Sequence, residues 1–181
     1  MNLFLWGALP YIAFTFLIVG TLVRFFYFER NWTTKSSEFL EKKQLRIANP
    51  LFHFGLLCVI GGHVVGVLVP KAWTAAMGIN DHMYHEGALY MGAVAGIIFI
   101  VGFLLLMKRR FTVPAMKVNT SGLDKWLYLF LTLAIFSGMA GTLLNASGFF
   151  DYRVSIGPWF RSLLSFMPDP SLMEGVPFMF K

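Results

Sequence analysis

The sequence predicts an all-α integral membrane protein, an antiparallel bundle of four transmembrane helices with the start of a fifth. A single domain over residues 1–181 accounts for it. Three observations carry that expectation. Hydrophobic residues make up 57% of the chain and charged residues only 13%, against roughly 25% charged in a soluble domain. Four apolar stretches each reach the ~20 residues that a helix needs to cross a bilayer. The basic residues gather between those stretches, where membrane topology puts them.

The first helix is predicted from about Leu3 to Phe28, with Arg24 and Arg30 at its end. The opening Met-Asn-Leu-Phe-Leu-Trp lacks the basic start and small-residue cleavage site of a signal peptide, so this helix is expected to be retained. A polar segment from Glu29 to Ala48 follows, with room for a short surface helix. The second helix is predicted from about Ile47 to Val69 and is stopped by Pro70. From Asn49 to Pro70 it carries no Asp, Glu, Lys or Arg. A loop ending in Asn80-Asp-His-Met-Tyr-His-Glu86 leads to the third helix, about Gly87 to Met107. Its Gly92-Ala-Val-Ala-Gly96 has the spacing that lets helices approach closely, and Lys108-Arg-Arg110 closes it. The fourth helix covers about Trp126 to Leu144. Residues of about 149–166, with Asp151-Tyr-Arg153, Trp159 and Arg161, read as interfacial, and the fifth helix is expected to start near residue 172.

Orientation follows from Lys and Arg alone. The first and third inter-helix segments with their flanks hold Arg24, Arg30, Lys35, Lys42, Lys43, Arg46, Lys108, Arg109, Arg110, Lys117 and Lys125. The second loop and the tail hold Lys71, Arg153, Arg161 and Lys181. The N-terminus is therefore expected outside, with the loops around Lys42 and Lys117 in the cytoplasm. Topology also explains the net charge of +6 without any nucleic-acid partner. Cys58 is the only cysteine, which excludes an internal disulfide and iron–sulfur ligation by this chain.

The second helix carries the chemistry. His53 and His63 sit inside its apolar run, and an ionisable group at membrane depth is costly and marks a functional site by default. Ten residues of helix separate them by roughly 15 Å along the axis and about 80° around it, one ring in each leaflet. Histidine is a common axial ligand of haem iron, so two stacked haems relaying electrons are one reading. Histidines that only hydrogen-bond a neighbouring helix are the other. Gly55, Gly62 and Gly66 line one side of this helix and suit either a flat macrocycle or close packing.

His82, Tyr84 and His85 cluster at the outer end of the third helix beside Asp81 and Glu86. One reading is a quinol site whose histidine or carboxylate accepts a proton. The other is a solvated cap, with Asp81 as N-cap and Tyr84 in the aromatic belt. The Lys108–Arg110 run reads as a topology anchor, with a haem propionate as its alternative partner.

Taken together, Asn49-Pro-Leu-Phe-His53, Gly62-His63-Val-Val-Gly66, Lys108-Arg-Arg110 and Thr120-Ser-Gly-Leu-Asp124 resemble the gamma subunit of respiratory nitrate reductase, a membrane cytochrome b. The Asp81-His-Met-Tyr-His85 form is most similar to members from Gram-positive bacteria. The resemblance implies two b-type haems, the inner on His53 and the outer on His63, with menaquinol or ubiquinol oxidised near the outer face. It implies a cytoplasmic iron–sulfur beta subunit and a molybdenum-containing alpha subunit as partners, in a bacterial inner membrane. It also implies that the remaining axial ligands lie beyond residue 181, on the fifth helix. The rival expectations are a cytochrome b of a sulfite- or heterodisulfide-reductase type complex, and a haem-free anchor or transport subunit.

Overall fold

A computed structural model of the chain describes residues 2–28, 38–149 and 151–177. Residues 29–37 of the polar segment, with Arg30 and Lys35, and Phe178 to Lys181 lie outside the described residues, so a short surface helix there is not described. The described elements are helices and turns. After a π-helical turn at Phe4–Ala8 come α1 (Leu9–Tyr27), α2 (Lys43–Leu68), α3 (Lys71–Ala76), α4 (Asp81–Thr112), α5 (Pro114–Val118), α6 (Gly122–Ala146) and α7 (Ile156–Leu164). A short 3-10 turn at Pro170–Met173 closes the described part.

Four of these helical stretches are long and apolar enough to span a bilayer, over 24, 26, 32 and 25 residues. The chain is a multi-pass, all-α membrane protein. Two of the spans, α4 and α6, start ahead of their apolar runs because polar caps extend them. Asn80 caps α4, its side chain accepting from the Met83 N–H at 2.8 Å. The cap is therefore Asn80, with Asp81 already the first helical residue. Ser121 and Asp124 form a reciprocal capping box that starts α6 at Gly122, a turn before its apolar run. On α2 the helix continues upstream through Pro50 to Lys43. It ends at the extended Val69 before Pro70.

The core is the crossing of α2 with α4. A side chain at Gly55 would lie 2.5 Å from the Phe99 backbone nitrogen. One at Gly102 would run into the backbone of Phe52. Each glycine admits the other helix's main chain, and Phe52, Phe99 and Phe103 fill the space around them, with centroids 5.1 and 6.3 Å from Phe52. The expected Gly92–Gly96 pair does not make this contact. Nothing approaches Gly92 within 4 Å, while Gly96 meets Met139 of α6.

The two ends are tied differently. At the end that carries Lys108, Arg109, only 4% exposed, donates from Nε to Glu41 Oε2 at 2.8 Å. Arg110 donates to Asp124 at 2.7 Å. The Lys108–Arg110 run thus joins α4 to the segment before α2 and to the start of α6. At the other end α7 is a wedge. Trp159 donates to the Trp6 carbonyl at 2.8 Å, and Tyr11 donates to the Leu163 carbonyl at 2.8 Å. Arg161 donates to the Val67 carbonyl at 2.6 Å, one of the carbonyls that the end of α2 leaves without a helical partner. The start of α1 and the end of α2 are held together through α7.

Candidate functional site

Both membrane histidines are locked the same way. His53 Nδ1 lies 2.9 Å from the Asn49 carbonyl and His63 Nδ1 lies 2.8 Å from the Val59 carbonyl. A carbonyl oxygen only accepts, so each Nδ1 carries the proton and each Nε2 keeps its lone pair. This fixes tautomer and ring orientation in the manner of a metal-ligating histidine, whose other nitrogen donates to a carbonyl or carboxylate. Both residues are exposed on the isolated chain, and each Nε2 is available to a group laid against the bundle.

The glycines around them divide. Gly55 is used in packing against α4, and Gly66 faces the ring of Tyr152 at 3.2 Å from its would-be side chain. Gly61 and Gly62, just before His63, have nothing within 4 Å. That leaves a smooth strip beside His63 which a flat macrocycle could approach. Among the described residues no three His, Cys, Asp or Glu side chains converge to hold a metal. An iron at either histidine thus draws one ligand from α2. The donor chemistry and the open strip fit haem.

The cluster at the start of α4 is split. His82 turns towards Glu86, with Nε2 3.7 Å from its carboxylate, and is largely exposed. Tyr84 and His85 instead line a cavity of about 30 Å³ together with Lys71, Asp81, Asp151, Tyr152 and Arg153. Three of those seven residues, Asp151, Tyr152 and Arg153, come from the segment between α6 and α7. Lys71 donates to Asp151 at 2.7 Å and stands 3.5 Å from Asp81. The Arg153 guanidinium lies over the Tyr84 ring, 3.6 Å from its centroid. Tyr152 rests on Gly66, about one turn of α2 above His63. Through Tyr152 the cavity wall joins α4 to the C-terminal half of the histidine helix.

Charge and burial shift the groups that line it. Burial raises the Asp151 carboxyl, but the Lys71 hydrogen bond, the Arg153 N–H and both cationic charges outweigh it and leave the carboxyl below its ordinary range. The hydrogen bond to Asp151 raises Lys71. Burial, with Tyr84 nearby, pushes the Tyr152 phenol well above its ordinary range. The wall thus combines Lys71 and Arg153 with Asp81 and Asp151, the phenols Tyr84 and Tyr152, and His85. Sequence reasoning found Tyr84 and His85 but counted Lys71 and Arg153 only as outer-face charges. Asp151-Tyr-Arg153, polar within an aromatic interfacial stretch, was the trace they left.

The family model of the nitrate reductase gamma subunit matches residues 2–181. A nitrate reductase gamma chain of Bacillus subtilis is 47% identical over 98% of this chain and 80% of its own length. The respiratory nitrate reductase 1 gamma chain of Escherichia coli is 27% identical over the whole of this chain and 81% of its own. A nitrate reductase-like protein NarX of Mycobacterium tuberculosis is 38% identical, and the chain covers 28% of it. With its four membrane-length helices, the chain belongs to the nitrate reductase gamma subunit family, the membrane subunit of respiratory nitrate reductase.

Proposed function

We propose that the chain is the di-haem cytochrome b of its complex, holding an inner haem through His53 and an outer haem through His63. It oxidises menaquinol or ubiquinol near the outer face of a bacterial inner membrane. Electrons leave for a cytoplasmic iron–sulfur beta subunit and the molybdenum-containing alpha subunit that reduces nitrate. The observation that carries this reading is the pair of Nδ1–carbonyl ties at 2.9 and 2.8 Å, which leave both Nε2 atoms as ligands. When bound, the haems supply one-electron carriers in series across the membrane.

The chain's own part is positional. α2 holds its two rings roughly 15 Å apart along the axis by helical rise alone. The Asn49 and Val59 carbonyls keep each ring from turning. At the outer end Tyr84 and His85 contact the quinol head in the cavity, and His82 stands on the exposed side of the same turn. His85 accepts a quinol proton on an imidazole nitrogen. Protons then leave outward while electrons go inward, which builds membrane potential.

The test is a pair of single substitutions in the full chain within its complex. His63→Ala should remove the outer haem from the reduced-minus-oxidised spectrum and stop quinol from reducing the remaining one. His53→Ala should remove the inner haem and leave the outer one reducible by quinol. Retention of both haems and of full quinol–nitrate activity in either variant would end the assignment.

A further inference from the structure

Between Trp159 and Met173 the chain goes down along α1 and comes back. Trp159 donates to the Trp6 carbonyl. Further along α1, Tyr11 donates to the Leu163 carbonyl, and the Phe166 ring stacks on that of Tyr11 with centroids 6.0 Å apart. The chain then turns back. A side chain at Gly7 would meet Pro168 at 3.8 Å, and the 3-10 turn at Pro170–Met173 packs on the π-helical turn at Phe4–Ala8. The tip of this hairpin, Phe166 and Met167, is therefore level with Tyr11. In the span Phe4–Tyr27, Tyr11 lies roughly 10 Å below the start by helical rise.

The turn keeps its donors to itself. The Ser165 N–H donates to the Arg161 carbonyl at 3.1 Å, that of Phe166 to Leu163 at 3.0 Å and that of Met167 to Ser162 at 3.0 Å. Pro168 and Pro170 have no N–H. The Asp169 N–H donates to Ser162 Oγ, and that of Ser171 to Asp169 Oδ1. The hydroxyls of Ser162, Ser165 and Ser171 donate within the same segment. A turn in water can leave such groups to solvent, whereas in hydrocarbon each must be satisfied by the protein. The side chains of the turn are nevertheless open, Phe166 82% and Met167 76% exposed. Phe166 also holds φ at 58°, the left-handed position after a helix that glycine usually takes. A Cβ makes that conformation costly, and nothing within the chain buries the ring in return.

We infer that residues 156–173 form a re-entrant hairpin whose tip, Leu164, Phe166 and Met167, docks among the lipid acyl chains of the leaflet that holds the start of α1. Depth, satisfied donors and open apolar side chains each point to hydrocarbon as the partner. At the level of the tip α1 itself exposes Ile12 and Phe14, so the lipid-facing surface of the span runs on into the hairpin. The polar groups stay nearer the mouth. Arg161 is spent on the Val67 carbonyl at the end of α2, and Asp169 stands on the returning limb beside Ser171. The hairpin thus fills the space between the start of α1 and the end of α2, and its tip is the face it offers to lipid. There the Phe166 ring gains the burial that the isolated chain does not give it.

The test places the photoreactive residue p-benzoylphenylalanine at Phe166 or at Met167, in the full chain within its complex and in native membranes. On irradiation the ketone carbon bonds to a neighbouring C–H carbon, and the hydrogen passes to the ketone oxygen. Alkaline hydrolysis then strips glycerol and headgroup from a phospholipid adduct, so a fatty acyl group left on the peptide marks insertion into an acyl chain. The same substitution at Phe16, an exposed residue within the span, is the lipid reference, and at Val118, in the polar connection after α4, the aqueous one. Both tip positions should give acyl adducts in yields close to that at Phe16 and about tenfold above Val118, as hydrocarbon surroundings require. Assembly is checked for each variant, and Met167 carries the test if the Phe166 variant does not assemble. Adducts confined to glycerol or headgroup overturn the inference, because the hairpin then lies at the surface. Cross-links to protein, whether a partner subunit, a second copy or a later segment of the chain, overturn it too. So does the absence of adducts at the tip when Phe16 gives them.

Discussion

Replacing Gly55 or Gly102 with alanine should separate α2 from α4, and the structure sets the size of the effect. The new methyl at position 55 would lie 2.5 Å from the Phe99 nitrogen and 2.6 Å from its Cα, where ordinary contact begins near 3.4 Å. The obstacle is backbone, so no side chain can swing aside, and the helices must part by about 0.9 Å at the crossing. Overpacking of this kind costs about 1–3 kcal/mol. It also loosens Phe52, whose ring contacts Phe99 and Phe103 and lies beside His53. The double variant should fall short of the sum of the singles, since one separation relieves both clashes. Gly20→Ala and Gly92→Ala are the controls, because nothing lies within 4 Å of either position. The assay is the thermal midpoint of the purified complex in a single detergent, with spectral haem content read beside it. If Gly55→Ala and Gly102→Ala matched those controls, the crossing described here would be wrong.

Two further outcomes are expected. Cysteine substituted for Lys117, which follows the inner end of α4, should resist an impermeant reagent applied to intact cells and react in inverted vesicles; efficient labelling from outside would reverse the orientation and exchange the roles of His53 and His63. The Lys71–Asp151 tie should also be visible in the pH dependence of stability. Asp151 is held below its ordinary value of 3.8 and Lys71 above its ordinary 10.5. The carboxylate's contribution is therefore present above 3.8 and is lost as pH falls through the lower folded value. The ammonium's is present below 10.5 and is lost as pH rises through the higher one. Both side chains are partly exposed, so the gap between wild type and Asp151→Asn at neutral pH should be about 1 kcal/mol or less. That gap should close in acid; a gap undiminished at pH well below 3.8 would mean that the contact is not electrostatic.

The spans were readable because length and composition decide them. A run such as Leu51 to Val69 without a charge has no other stable home. Their ends were less readable, since α4 and α6 begin on Asn80 and Ser121, polar residues that hydropathy discounts and capping chemistry requires. The histidines stood out for a related reason. At membrane depth a titratable ring has to be accounted for, and the helix itself supplies the Asn49 and Val59 carbonyls that orient each ring. What sequence spacing did not show was which glycines pack. Gly92 and Gly96 have the familiar interval, but Gly55 and Gly102 make the crossing, because their partner is another helix's backbone.

Arg153 marks the limit of a reading taken along the chain. Its guanidinium meets Thr74, Asp81 and Tyr84, all on segments far upstream, and no local pattern announces such a meeting. In sequence it weighs the same as Arg109 and Arg110, one basic residue near a membrane surface. The fold separates them. The guanidinium of Arg109 bonds the Glu41 carboxylate, and that of Arg110 bonds Asp124. These cations join α4 to its neighbours at the end that carries Lys108. The guanidinium of Arg153 instead donates to Thr74, lies over the Tyr84 ring and stands 3.5 Å from the Asp81 carboxylate. It ties the segment before α7 to α3 and to the start of α4, three pieces that only the fold brings together.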